Sequence, residues 1–218
     1  MAKTAKQYKD LSIQEFTKAA ARYEGDKAGI YEMCKEDYPD ILAEIEKRDF
    51  DDLLDAGCGP APMLSLLTEK YPDKRFVGLD LTPAMIETAK AKKLPNTEFV
   101  VGDCENLPFK PNSFDIIICS QSFHHYPNPQ DFFNSCFRVL RPGGWLILRD
   151  NTAGTVTLWL GNHILLPLSN LFGHGDVRVY SLDKIREMGE KAGLKVLVNE
   201  HRGKMRLHSV MEKPKKNK

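Results

Sequence analysis

From Asp51 onward the chain alternates short apolar runs with amphipathic segments of helical period, and this alternation constrains the fold more than any other feature. Residues 53–56, 75–79, 98–101, 114–119 and 145–148 read as strands. Residues 63–71, 83–92 and 129–140 read as the helices between them, with a turn at 141–144. Strands separated by helices require crossover connections, and these give a parallel sheet covered by helices on both faces. The run FDIIIC, residues 114–119, is apolar enough to be a strand buried on both sides. A last helix over 182–192 is closed by Gly193, and two apolar runs follow at 194–199 and 204–211. The gap between them is too short for a helical crossover, so they form an antiparallel hairpin.

Residues 1–50 are charged and helix-prone, and Gly25 and Gly29 divide them into two helices around a mobile joint. The expected organisation is therefore a helical cap or lid over 1–50, a ligand-binding domain over 51–213 with an apolar insertion at 151–180, and a solvated basic tail at 214–218. The insertion carries VTLWLGNHILLPLSNLF, residues 156–172, which is too short and too interrupted by Asn162, His163 and Pro167 to span a bilayer. It reads as a packed lid helix, as the wall of an apolar acceptor pocket, or as a membrane-touching surface. With 31 basic and 30 acidic residues, the chain has no basic field for non-specific nucleic-acid binding. The polar opening MAKTAKQYKD lacks an export signal, which predicts a cytoplasmic protein. Five cysteines without a CxxC pair read as reduced thiols.

Asp55-Ala56-Gly57-Cys58-Gly59 follows the first strand and leads into a helix, at the end of the sheet where doubly wound folds bind ligands. A dinucleotide loop would add a third glycine and free amides for a pyrophosphate. Here Pro60-Ala61-Pro62 follows, so Pro62 stands in place of that glycine and two amide donors are lost. The loop suits a nucleoside without phosphates and disfavours a nicotinamide dehydrogenase. Asp80, about 20 residues on, stands where an acid accepts from a ribose diol. Its alternative role is to cap the next helix, a task Thr82 before Pro83 fills better. Asp103, after Gly102 at the third strand's end, reads either as an acceptor for an exocyclic amine or as a turn residue.

In order and spacing, LLDAGCG, VGLD, VVGDCENLPF, FDIIICSQSFHHYPNP and RVLRPGGWLIL resemble the class I S-adenosylmethionine-dependent methyltransferases, specifically the small-molecule branch that includes ubiquinone- and menaquinone-biosynthesis-type enzymes. The resemblance covers about residues 50–150. It implies an α/β, Rossmann-like, doubly wound fold: a seven-stranded, mostly parallel sheet with an antiparallel C-terminal hairpin. It implies S-adenosyl-L-methionine as cofactor and a small, partly apolar methyl acceptor. By the same resemblance Asp55, Gly57, Cys58 and Gly59 surround the methionine part, Asp80 meets the ribose, and Gly102, Asp103 and Cys104 lie at the adenine. Leu81 and Met85 line the adenosine, and Ser120 and Gln121 lie beside the sulfonium. Tyr23 resembles an N-terminal aromatic that closes over the cofactor, with the glycine joint as its hinge; its other reading is an ordinary helix interface.

A sulfonium methyl is already activated, so alignment with the nucleophile supplies most of the rate, about 7–11 kcal/mol of the barrier. His124 and His125, just after the fourth strand, are candidates for a base or an acceptor-orienting group, and either could instead be structural. Adjacent residues of an extended loop point apart, so one of the two faces the pocket. Asp150-Asn151 resembles a metal-binding pair of catechol-type enzymes, but Ser120-Gln121-Ser122 stands where their further acid lies. His124, His125, His163 and His174 show no zinc-ligand spacing, so no metal is expected. Two alternatives stay open: a nucleic-acid methyltransferase, against which the absence of an [NDS]-P-P-[YF] motif counts, and an S-adenosylmethionine-binding module without turnover. No nucleic-acid partner is expected. The acceptor atom and the oligomeric state stay open.

Overall fold

A computed structural model describes residues 3–23, 25 and 30–215. The N-terminal segment forms α1 (Ala5–Ala19), a 3-10 turn (Ala20–Arg22), α2 (Ile30–Lys35) and α3 (Tyr38–Ile45). Thr4 opens α1 with a capping box completed by Gln7. The expected pair of helices is corrected to three. Pro39 fits only a first helical turn, so it starts a new helix at α3. Of the expected glycine joint, Gly29 lies outside the described residues.

The alternating pattern becomes β1 (Asp52–Ala56), α4 (Pro62–Lys70), β2 (Arg75–Asp80), α5 (Pro83–Ala91), β3 (Thr97–Val101), β4 (Phe114–Ser120), α6 (Pro129–Val139) and β5 (Leu140–Asn151). The chain continues through helical segments to α9, with α7 (Thr155–Leu160) and α8 (Leu166–Ser169) flanking a π-helical turn at Gly161–Leu165, and α9 at Leu182–Lys191. It ends in β6 (Lys195–His201) and β7 (Arg206–Glu212). The seven strands lie in the order β3-β2-β1-β4-β5-β7-β6. β1 to β5 are parallel, and β7 runs antiparallel between β5 and β6. Strand order therefore reverses between β1 and β4, and the carboxyl ends of these two strands frame the crevice where such sheets bind ligands.

Both sheet faces are covered. Leu54, Val77, Ile117 and Leu146 pack against Phe132, Phe133 and Cys136 of α6 on one side. Leu53, Phe76, Ile116, Ile118 and Ile147 pack against Ile41 and Ile45 of α3 and Leu64 and Leu67 of α4 on the other. Each such aliphatic side chain contributes about 1.5–3 kcal/mol by leaving water. Ile116, Ile117 and Ile118 are all fully buried, as a two-sided strand requires. The turn expected at 141–144 is corrected. Gly143 N donates to Lys213 O and Lys213 N donates to Gly144 O, which laces these residues into the sheet beside β7.

The insertion requires a larger correction. Residues 155–172 are helical throughout, yet Asn170 is their one buried residue. Val156, Leu171 and Phe172 are 74%, 74% and 84% exposed, and Trp159, Leu160, Ile164, Leu165 and Leu168 are exposed too. The packed-helix reading fails because apolar residues occur nearly all round this helix while the protein meets it on one narrow side. Asn162 makes that contact, exchanging two hydrogen bonds with the Val179 backbone. No helix among the described residues is long and apolar enough to cross a membrane.

Candidate active site

The turn after β1 depends on glycine at two positions. Gly57 (φ +81°) comes so close to Ser122 that a Cβ would lie 2.2 Å from its Oγ. Gly59 (φ +54°) would direct a Cβ into open space, so the backbone there is bare toward the crevice. The amides of the loop are already committed. Gly57 N and Cys58 N both donate to Leu79 O, Gly59 N donates to the Asp80 carboxylate, and Ala61 N donates to Cys58 O. Pro60 and Pro62 have no N–H to offer. The loop thus presents no amide cradle for a phosphate.

Above the loop lie two adjoining lobes, which share Phe16, Gly57, Asp80, Ser122 and His125. Tyr23, Asp55, Cys58, Gly59, Met85, Ser120 and Gln121 border the first lobe, and Leu81, Asp103 and Cys104 the second. Gly102 borders neither: a Cβ there would sit 2.8 Å from Leu79, so its missing side chain serves packing. His124 borders neither lobe either. Phe16, Cys34, Tyr38 and Ser122 also line the first lobe. No local motif marks these four; α1 and the approach to α3 bring the first three over the sheet end.

Both lobes expose mostly apolar surface, with polar groups set into it. Burial, with Asp80 nearby, raises Asp55 to about 8, and no hydrogen bond offsets the shift. Burial also raises Asp80, partly countered by the Gly59 and Thr82 amides that its two oxygens accept, at 2.9 and 2.8 Å. Thr82 occupies the N-cap of α5 as expected, but its side chain makes no capping bond, because its hydroxyl is bonded to the Asp80 carboxylate. Ser120 Oγ and Gln121 Oε1 are buried without a partner. Gln121 is held at φ +51°, and its Nε2 donates to Asp37 at 2.6 Å. Asp37 is itself fixed by the buried Arg149 guanidinium. An unpaired carboxyl and two unpaired oxygen acceptors around a bare glycine turn fit an ammonium-bearing amino-acid tail. The chemistry of this donor set matches S-adenosylmethionine.

In the second lobe Asp103 caps the 3-10 turn that follows β3, accepting from Glu105 N at 2.9 Å, and its other oxygen accepts from Lys9 Nζ at 2.6 Å. Lys9 also pairs with buried Glu105. Lys9 therefore carries α1 onto the carboxyl end of β3. Glu15, two turns on, accepts from Gly175 N at 2.7 Å and pairs with His174. Burial raises the Cys34 thiol to about 11 and pushes Cys58 and Cys104 well above the usual range, so these sulfurs stay protonated.

The two histidines lie in a 3-10 turn, not an extended loop, with ring centroids 4.2 Å apart. His125 faces the cavity, edge-on to Phe16. His124 points to the end of β5, where Asp150 Oδ1 accepts from its Nδ1 at 2.6 Å and Asp150 Oδ2 accepts from its backbone N at 3.1 Å. Burial lowers both rings. For His124 the charge and hydrogen bond of Asp150, with the Asp176 and Glu15 charges, together outweigh burial and the net shift is upward, whereas His125, beside His124, falls to about 4. Asp150, the acid of the catechol-type comparison, is occupied with His124. Asp176, from the segment after the exposed helix, approaches both rings. Sequence reading missed the Asp150 and Asp176 contacts because neither residue has a motif tying it to the histidines.

A reversed sheet with β7 between β5 and β6, and a crevice at the reversal, define a class I methyltransferase fold. Residues 54–148 match the family described as methyltransferase domain. This match extends over less than half of the chain, and it is this stretch that is similar to the family. Over 99 residues the chain is 43% identical to a phthiotriol/phenolphthiotriol dimycocerosates methyltransferase of Mycobacterium leprae, an alignment covering 45% of this chain and 37% of that one. The chain thus spans well under half the length of this relative. In structure it resembles the methyltransferase held in complex with the Haloferax volcanii Trm112 activator (TM-score 0.78, 21% identity, 94% of this chain and 99% of that one). It also resembles the Burkholderia thailandensis 1,6-didemethyltoxoflavin-N1-methyltransferase bound to S-adenosylhomocysteine (TM-score 0.72, 16% identity, 98% and 92%).

Proposed function

We propose that this chain transfers the methyl group of S-adenosylmethionine to a small, partly apolar acceptor. The observation that carries this reading is the contrast within one crevice: every loop amide at 57–59 and 61 is committed or absent, while Asp55, Ser120 and Gln121 offer unpaired acceptors. Such a site repels a diphosphate and accepts an ammonium. When bound, the sulfonium supplies an activated methyl. The chain's own residues hold and align. Asp55, Ser120 and Gln121 take the amino-acid tail, with Gly57, Cys58 and Gly59 as its floor. Asp80 accepts from the ribose with the lone pairs its two amide bonds leave free, and Leu81 and Met85 flank the nucleoside. Asp103 and Cys104 border the adenine, with Gly102 behind them.

Residues 1–50 act as a cap over the domain at 51–213, with Tyr23 and Phe16 excluding water from the first lobe. His125 orients the acceptor at the cavity mouth, and His124, held by Asp150, is a positioning residue that sets the turn. The exposed helix at 155–172 supplies the apolar contact for the acceptor, supported by eight large apolar side chains open to solvent. A cytoplasmic setting is supported by five unpaired, buried thiols. Incubation with S-adenosylmethionine and a panel of apolar phenols, amines and activated carbons tests the reading, with mass spectrometry as readout. S-adenosylhomocysteine must accumulate with an acceptor heavier by one methylene. Cofactor binding without turnover on any acceptor favours a non-catalytic module, and turnover only on RNA or DNA favours a nucleic-acid enzyme.

A further inference from the structure

The histidine pair and Asp176 form a cluster that the alignment of cofactor and cavity does not account for. His124 Nε2 lies 3.4 Å from Asp176 Oδ1, and His125 Nδ1 lies 3.6 Å from the same oxygen. The three donor atoms all fall within 4.8 Å of one another. Both separations exceed the roughly 2.7–3.2 Å of an N–H···O hydrogen bond. They match instead the edge of a tetrahedron, about 3.3–3.6 Å, drawn by ligands roughly 2.0–2.2 Å from a common centre.

Two further observations point to a ligand at that centre. His125 Nδ1 is buried with no hydrogen-bond partner, although a ring nitrogen shielded from water is costly to leave unmatched. His124 Nδ1 is bonded to Asp150, which in the neutral ring leaves the lone pair on Nε2, the atom turned toward Asp176. A carboxylate on the far nitrogen of a histidine is the usual outer support of a metal ligand. Asp176 is 28% exposed, which gives a path from solvent.

We propose that His124 Nε2, His125 Nδ1 and Asp176 form a three-ligand site for a divalent transition-metal cation at the mouth of the cavity, with Asp150 orienting His124. Two imidazoles and one carboxylate select zinc, cobalt or a related ion over magnesium or calcium, which prefer all-oxygen shells. Three protein ligands leave a position open, as in catalytic rather than structural sites. Because His125 also borders the cavity, that position faces the acceptor. There the cation would hold an acceptor oxygen or nitrogen and favour its deprotonated form. This last role rests on the methyl-transfer reading; the cation site itself does not.

The test is a cobalt(II) titration of the tag-free full chain after chelator treatment, followed by visible absorption, with S-adenosylmethionine binding measured calorimetrically on the same samples. One equivalent of cobalt should bind, give the intense d–d bands of a low-coordinate site, and be displaced by zinc. Asp176→Asn and His125→Ala should each weaken binding at least 10-fold and bleach those bands while retaining a cooperative melt, and His163→Ala should change neither. Absence of saturable one-to-one binding overturns the site, as does a spectrum that Asp176→Asn and His125→Ala leave intact. Cofactor binding without cobalt binding overturns the cation site and leaves the methyl-transfer reading standing. One equivalent of cobalt with no cofactor binding keeps the site and overturns that reading.

Discussion

Asp55 is a residue whose acidity the crevice changes strongly. Its carboxyl, pushed up to about 8 by burial and then by Asp80, keeps a proton in the folded chain that the unfolded chain releases near its ordinary 3.8. The stability this proton linkage contributes is therefore complete below about pH 4 and is lost as pH rises toward about 8. Asp55→Asn removes that segment of the pH dependence, so wild-type melting temperature should fall more steeply from pH 5 to 8 than the variant's. A bound ammonium favours the ionised form. Cofactor binding at pH 7 should thus release up to about one proton, read by calorimetry in buffers of different ionisation enthalpy. Asp55→Asn should release none. Gly57 gives a second, purely steric prediction. Gly57→Ala places a methyl against Ser122 at a positive φ and should cost about 2–4 kcal/mol in denaturant unfolding. Adding Ser122→Gly should recover part of that loss, and no recovery would place the strain elsewhere.

At the level of elements, α1 is the part whose position most affects the site. Lys9 ties it to Asp103 and Glu105, Glu15 to the segment at 174–175, and Phe16 meets His125. Lys9→Met removes the tie nearest the second lobe. It should weaken cofactor binding about 3–10-fold and raise amide exchange in α1, with the core strands unaffected. The exposed helix at 155–172 carries Trp159, at 56% exposure, and the second tryptophan, Trp145, lies in β5 under Arg48. An apolar acceptor that rests on this helix should shift Trp159 emission to shorter wavelength, and Trp159→Phe should abolish the shift; emission unchanged at saturating acceptor would remove the helix from acceptor binding. These elements also mark where sequence reading stops. The alternation after Asp51 was enough to predict β1 to β5, because period-2 and period-3.6 patterns depend on nearest neighbours. The strand ends then pointed to Gly57, Asp80 and Asp103, and the family resemblance added Ser120. Lys9, Asp37 and Asp176 reach the crevice through tertiary docking, which leaves no local pattern. The exposure of 155–172 was equally illegible, since an apolar run looks the same whether it is covered or bare.

For the molecule as a whole, the sheet reversal between β1 and β4 sets where a ligand sits, and the loop chemistry sets which ligand it is. Phe16 of α1, with Cys34 and Tyr38, borders that point, and Asp37, with Arg149 and Gln121, couples the approach to α3 to the ends of β4 and β5. The most direct test is one calorimetric series on the full chain with S-adenosylhomocysteine, adenosine, ADP and NAD. S-adenosylhomocysteine should bind one site at least 10-fold more tightly than adenosine, a gain of about 1.4 kcal/mol or more from the amino-acid tail. ADP and NAD should show no saturable heat. Equal or tighter binding of either diphosphate would contradict a crevice built for adenosine joined to an amino acid.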